Sequence, residues 1–223
     1  MRKKLVIHAL AKYRAGLIMV GLLLFLPAGT IRWPGAWLFI GLLFIPMFTL
    51  GIVLLVKAPD LLAKRLQGKE EENIQKRVVG VSALLFLAGF VLSGLDYRLD
   101  CTHVPVWLTG TAAVVLLISY GLYAEVMREN AYLSRTVEVQ EGQKVIDTGL
   151  YGIVRHPMYG ATVLLFLSIP LVLGSFIGFA VFLIYPVMLG IRIRNEEKVL
   201  TEGLDGYADY CEKVRWRLFP FIW

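Results

Sequence analysis

Three short stretches of this chain gather side chains with binding or reactive chemistry. "GLYGIVRHPMYG" (149–160) carries Tyr151, Arg155, His156, Pro157 and Tyr159. "RIRNEEKVL" (192–200) carries Arg192, Glu196 and Glu197, and "GYADYCEKVRWRLFPF" (206–221) adds Tyr207 and Tyr210. Arg192 and Glu196 are four residues apart and share a face if that stretch is helical. Tyr207, Tyr210 and Val214 recur at helical spacing and form an aromatic stripe. Each group also has a purely structural use. Arg192 and Glu196 can pair on a surface, tyrosines favour the membrane interface, Arg155 can meet a lipid headgroup, and His156 can close the turn before Pro157. What raises the set above those uses is its gathering on one side of a membrane, argued below.

Several familiar chemistries are missing. The sequence has no G-x-G dinucleotide turn and no phosphate-cradling G-x-x-x-x-G-K-[ST] loop. It has no H-E-x-x-H and no G-x-S-x-G. A nucleotide-type cofactor must therefore be held by something other than a glycine-rich turn. His8, His103 and His156 are scattered, Cys101 and Cys211 stand apart, and no C-x-x-C occurs, so neither a metal centre nor a disulfide framework is indicated.

The elements that must position these groups belong to a bilayer. Of 223 residues 57% are hydrophobic, above the 45–50% or so of soluble domains, and mean hydropathy is +0.67. The net charge of +6 then reads as basic membrane loops rather than as a nucleic-acid-binding face. Apolar runs predict spans over about 15–28, 37–56, 78–95 and 104–126. The N-terminal run reads as a first span rather than a cleaved leader. Trp33, in the turn between the first two spans, reads as an interfacial anchor. Residues 57–77 read as a surface segment, with Leu61, Leu62 and Leu66 on one face. "TVEVQ" and "QKVID" around Glu141-Gly142 alternate like a small β-hairpin, with an irregular loop as the alternative. Beyond the first motif, "ATVLLFLSIPLVL" and "FIGFAVFLIYPVMLGI" are joined at Gly174-Ser175 as a helical hairpin that Pro170 and Pro186 can kink.

The fold expected is thus an all-α integral membrane bundle, four spans plus a C-terminal helical hairpin, with a cytoplasmic C-terminal cofactor-binding region. Residues 1–127 would form the membrane spans and 128–223 the catalytic region. Arg2, Lys3, Lys4, Lys12 and Arg14 precede the first span, and Lys57, Lys64, Arg65, Lys69, Lys76 and Arg77 follow the second. The links at 29–36 and 96–103 carry one arginine each. The positive-inside rule therefore puts both termini, the 57–77 loop and the 127–158 segment on the cytoplasmic side.

The ordered pattern G-x-Y-x-x-x-R-H-P-x-Y, hydrophobic hairpin, R-x-x-x-E-E-x-x-L, Y-x-x-Y and a terminal hydrophobic-Pro-hydrophobic end resembles the isoprenylcysteine carboxyl methyltransferase family. Related phospholipid N-methyltransferases share it. Here it runs through Gly149, Tyr151, Arg155, His156, Pro157, Tyr159, Arg192, Glu196, Glu197, Leu200, Tyr207, Tyr210 and Pro220. The resemblance implies S-adenosylmethionine as methyl donor and a lipophilic or prenylated acceptor drawn from the membrane, with no metal and no nucleic acid. It implies that Tyr151, Arg155, His156, Pro157, Tyr159, Glu197, Tyr207 and Tyr210 bind the donor. Arg155 or backbone N–H groups near His156 would meet its carboxylate, and a glutamate its ammonium or ribose. The tyrosines would stack on adenine or face the sulfonium. Arg192 and Glu196 are the expected catalytic pair, Arg192 holding an acceptor carboxylate. A rival reading is an NADPH-dependent membrane reductase, because sterol reductases resemble this family in their C-terminal half. A scaffold or transporter is disfavoured, since no charge falls in the middle of a predicted span.

Overall fold

The computed structural model describes residues 2–66, 73–130, 132–133 and 139–223, with side chains described throughout these except at 2–3, 64–65 and 73–79. The described residues form helices and connecting turns. In order these are α1 (Arg2–Ala28), α2 (Pro34–Lys57), α3 (Pro59–Leu66), α4 (Asn73–Leu99), α5 (Val106–Glu129), α6 (Pro157–Leu173), α7 (Phe176–Phe182), α8 (Tyr185–Gly203) and α9 (Tyr207–Lys213), with a single 3-10 turn at Gly149–Gly152 before α6. Five stretches are long and apolar enough to cross a bilayer: Lys4–Ala28, Pro34–Lys57, Gly80–Leu99, Val106–Glu129 and Phe176–Gly203. The chain is a multi-span helical membrane protein.

The inner faces of the long helices meet in one apolar core. Leu24 of α1, Phe39 of α2, Leu116 of α5, Ile169 and Val172 of α6 and Phe182 of α7 are fully buried in it. Outward faces stay apolar (Ile18, Leu84 and Ile45 are exposed), as expected where the solvent is lipid. Gly94 lets α4 and α1 touch: a Cβ there would stand 2.9 Å from the Leu24 carbonyl oxygen.

The second arm of the C-terminal hairpin differs from its expected form. Leu183 and Ile184 interrupt it, and α8 restarts at Tyr185 with Pro186 in its first turn, where a missing N–H costs nothing. Pro170 lies inside α6, which runs on to Leu173. The charged "RIRNEEKVL" is not a separate tail, because α8 carries the apolar arm directly into it. Gly174, at φ +85°, ends α6, and the Ser175 hydroxyl caps α7 by accepting from the Gly178 amide at 2.9 Å.

Polar contacts tie the connections at one end of the bundle. Asp96 lies not in an exposed link but within α4, 2% exposed, and accepts from the Thr102 amide (2.8 Å), the Thr102 hydroxyl and the Ser175 hydroxyl. Trp33, expected as an interfacial anchor, is buried within the protein: it stacks on Tyr97 at 4.9 Å and donates from Nε1 to the Leu173 carbonyl. At the opposite end, Leu61 of α3 packs with Val126, Met127, Leu133 and Tyr151, while Lys12 donates to the Leu66 carbonyl. The surface segment expected over 57–77 is thus helical at Pro59–Leu66, with Leu61 and Leu62 turned inward; residues 67–72 lie outside the described ones.

The region of the expected hairpin holds a turn. The Gln143 amide donates to the Gln140 carbonyl at 3.0 Å around Glu141-Gly142, with Gly142 at φ +68°. Residues 143–147 form no regular secondary structure. Their alternation serves packing instead: Val145 goes into the Leu204–Tyr207 cluster and Ile146 against Tyr151. Most of the first arm, 136–138, lies outside the described residues.

Candidate functional site

A cavity opens at the α3 end of the bundle, between Asn130, Tyr132, Leu133 and residues 143–146 on one side and the start of α6, the charged part of α8 and α9 on the other. Its empty space is about 850 Å³, a figure that includes the part open to solvent. Tyr151, Arg155, His156, Tyr159, Arg192, Glu196, Tyr207 and Tyr210 all line it. Pro157 and Glu197 stand behind this wall. Pro157 is buried at the first turn of α6, and Glu197 is 9% exposed on the α8 face turned away from the cavity.

The first motif is set by a tight turn. Gly149 has φ +54°, and a Cβ there would fall 1.5 Å from Glu129 Oε1. Only glycine fits this spot, because the Glu129 carboxylate accepts from the Leu150 amide at 3.0 Å. Gly149→Ala is expected to displace Glu129 and destabilise the protein by about 2 kcal/mol or more, combining left-handed strain with loss of a charge-assisted hydrogen bond. Chemical unfolding of the purified protein measures this; an unchanged midpoint contradicts it.

Two adjacent glutamates do different things. Glu196 faces the cavity. The Tyr159 hydroxyl donates to its carboxylate and accepts from Arg192 Nε at 2.8 Å, so one phenol bridges the acid and the base. The Arg192 guanidinium also lies 5.9 Å from the Tyr159 ring centroid. Glu197 is held from three sides: by Arg155 Nε at 2.7 Å, by Arg217 Nε at 2.7 Å and by His156 Nε2 at 3.2 Å. His156 also stacks on Tyr159, centroids 5.7 Å apart, which links the two carboxylate systems.

Arg155 is engaged with the C-terminal segment. Beyond Glu197, its guanidinium donates to the carbonyls of Cys211 (3.2 Å) and Val214 (3.1 Å). The Arg155 and His156 amides donate to the carbonyls of Trp216 and Arg217, at 2.9 and 2.8 Å. Residues 211–217 thereby form a strap behind the first motif. Tyr210 fastens α9 to the same motif by donating to the Tyr151 carbonyl at 2.7 Å, and Asn130 donates to the Tyr151 hydroxyl at 3.1 Å. At the rim, Lys213 meets Asp147 at 2.6 Å and holds the Asp147 carboxyl below its ordinary pKa.

Tyr207 is distinctive. It lines the cavity, and its buried hydroxyl has no hydrogen-bond partner among the described residues. Burial, with the Glu197 charge adding to it, raises its pKa well above that of ordinary tyrosine; burial raises Tyr210 as well. Both phenols are neutral at physiological pH. Burial also raises the Cys211 thiol, against the lowering effect of Arg155, so Cys211 is no ready nucleophile.

The sequence reading missed Arg217, Glu129 and Asn130. Arg217 sits among the arginines of "VRWRLF" with no spacing to mark it, and Glu129 and Asn130 close a helix that reads as membrane span.

With this geometry in view, comparison with known proteins narrows the relationship. Residues 111–202 match the isoprenylcysteine carboxyl methyltransferase (ICMT) family. The ICMT match begins in α5, well before the first motif, and ends within α8, so Arg192, Glu196 and Glu197 fall inside it and Tyr207, Tyr210 and Arg217 outside. The uncharacterized protein YpbQ of Bacillus subtilis is 33% identical over 97 residues, 43% of this chain and 58% of that protein. The Delta(14)-sterol reductase TM7SF2 of Mus musculus is 26% identical over 91 residues, 40% of this chain and 22% of the reductase. The chain therefore spans little more than half of the first relative and about a fifth of the second.

Proposed function

We propose that this chain is an integral membrane methyltransferase that uses S-adenosylmethionine and methylates a lipid-like acceptor such as a prenylcysteine carboxylate. The observation that carries the reading is the cavity in which Tyr159 bridges Arg192 and Glu196, built from the segment that matches the ICMT family. When bound, S-adenosylmethionine supplies a methyl carbon already activated by its sulfonium. The protein then contributes alignment and exclusion of water rather than a strong acid or base.

The residues fit such a donor in kind. Tyr151, Tyr207 and Tyr210 offer aromatic faces to an adenine ring or a sulfonium. The buried Tyr207 hydroxyl, which has only the weakly hydrogen-bonding Cys211 thiol beside it, is available to a ligand in the cavity. Glu196 suits an ammonium or ribose hydroxyls, and Arg192 an acceptor carboxylate. Arg155, Glu197 and Arg217 take a supporting part in this reading: they hold the strap and His156, and through His156 the ring of Tyr159. Pro157 is the first residue of α6, two positions before Tyr159.

Both termini and the cavity are assigned to the cytoplasmic side, on the basic charge of the 2–14 and 57–77 segments. In the same reading 1–127 supplies the spans and 128–223 the catalytic region. The sterol reductase relative favours one rival, an NADPH-dependent reductase of a lipid. Isothermal titration of the detergent-solubilised protein separates the two. S-adenosylmethionine or its demethylated product is expected to bind in the micromolar range and NADPH not at all. Binding of NADPH alone would overturn the assignment. A lipid-extract assay against prenylcysteines and aminophospholipids then identifies the acceptor.

A further inference from the structure

The outer side of α8, away from the cavity, carries a second open groove lined by Arg194, Lys198, Thr201, Glu202, Cys211 and Arg217, with the Arg155–Glu197 pair also in its lining. Its charges do not cancel. Arg155 and Arg217 share Glu197, and Lys198 reaches Glu202 only at 3.9 Å. Arg194 has no acidic partner among the described residues. Among the side chains that line it, four cations (Arg155, Arg194, Lys198, Arg217) against two carboxylates (Glu197, Glu202) leave two positive charges in excess.

The chain terminus sets the height of this groove relative to the bilayer. Residues 214–223 turn back toward the spans, and the Arg217, Leu218 and Phe219 amides all donate to the Trp223 carbonyl. The Trp223 ring rests against Gly190, 3.7 Å from where a Cβ would be, and Leu218 and Phe219 pack with Leu189 and Ile193. Phe221 and Ile222 are left outside, 85% and 79% exposed. On the same helix, Val187 and Ile191 are also exposed and belong to the span Phe176–Gly203. An apolar knuckle that open is stable where lipid tails cover it.

Arg194 and Lys198 follow Gly190 at steps of four along α8, so they continue the stripe on which Trp223 sits. They stand about 6 and 12 Å further along the helix. The polar headgroup layer is roughly 5–8 Å deep in each leaflet. A chain that seats Phe221 and Ile222 among acyl tails therefore presents Arg194 and Lys198 at the level of lipid phosphates, within reach of their flexible stems.

We propose that this groove binds the phosphate of an anionic phospholipid, with Arg194, Lys198 and Arg217 on the headgroup and the Phe221–Ile222 knuckle against its acyl chains. The source is a lipid rather than free phosphate because Trp223, next to the exposed Phe221 and Ile222, rests on the α8 stripe that Arg194 and Lys198 continue. The inference stands apart from the methyl-transfer reading and is tested without it.

The test is native mass spectrometry of the full-length protein in detergent, titrated with phosphatidylglycerol or with phosphatidylcholine of the same acyl chains. Wild type is expected to prefer phosphatidylglycerol on the order of tenfold, from two uncompensated charges near the surface. Arg194→Gln with Lys198→Gln is expected to abolish the preference. Both side chains are exposed, so unfolding is expected to stay unchanged. Arg194→Lys with Lys198→Arg keeps the charges and is expected to keep the preference. Three results would overturn the proposal: no preference in wild type, a preference surviving the double glutamine variant, or one lost in the charge-preserving swap. Displacement of phosphatidylglycerol by millimolar inorganic phosphate would overturn the lipid assignment.

Discussion

Glu197→Ala is expected to destabilise the protein by about 3 kcal/mol, the lower end for removing one partner of a buried ion pair, and to abolish ligand binding. Glu196→Gln, one residue away, is expected to leave unfolding unchanged. The contrast follows from what each carboxylate touches. Glu197 is the shared counter-charge of Arg155, Arg217 and His156, and the Arg155 side chain is only 7% exposed. Without it a buried guanidinium loses its partner and the strap at 211–217 loses its anchor. Arg217 is about one-third exposed and can turn to water, which keeps the effect at the lower end. Glu196 accepts from the Tyr159 hydroxyl at the cavity wall, a hydrogen bond that an amide oxygen can also accept. Thermal unfolding followed by tryptophan fluorescence reads the result, since Trp216 and Trp223 both lie in the C-terminal segment. Equal midpoints for the two variants would refute the division of roles.

The second large effect concerns rate. Arg192→Ala and Glu196→Gln are each expected to lower methyl transfer by roughly a hundredfold or more, the scale of losing one fixed electrostatic group at a reacting centre. Arg192 acts through a planar fork, with Nε already committed to Tyr159, so Arg192→Lys is expected to recover little of the loss. A radiolabelled-methyl assay on membranes, with expression and unfolding matched, measures this. Wild-type rates in both variants would remove these two residues from the site.

Separating the two glutamates has a wider use. In "RIRNEEKVL" they are adjacent, and on a helix adjacent residues point about 100° apart. One turns to the cavity and the other to the strap. Doubling the carboxylate lets one helix serve both the ligand face and the packing face. His156 joins them, stacked on Tyr159 and bonded to Glu197.

The sequence alone determined what depends on local composition. The apolar runs marked spans close to those observed, because burying an unpaired backbone in lipid enforces long apolar helices. The ordered motifs marked Tyr151, Arg155, His156, Tyr159, Arg192, Glu196, Tyr207 and Tyr210 as candidates, and the fold brings all eight to the lining of one cavity. Charge at 57–77 and 192–200 marked the polar ends, and Gly174-Ser175 marked the turn. Tertiary structure decided everything that joins residues distant in the chain. Arg155 meets Glu197 across 42 positions and Ser175 meets Asp96 across 79; no spacing rule reaches that far. Trp33 is buried because α4 and α6 close over it, which its place in a turn does not reveal. The alternation at 143–147 satisfies two hydrophobic clusters rather than a neighbouring strand. Local pattern fixes which faces are apolar or charged; only the packing of α6, α8 and α9 fixes which of those faces meet.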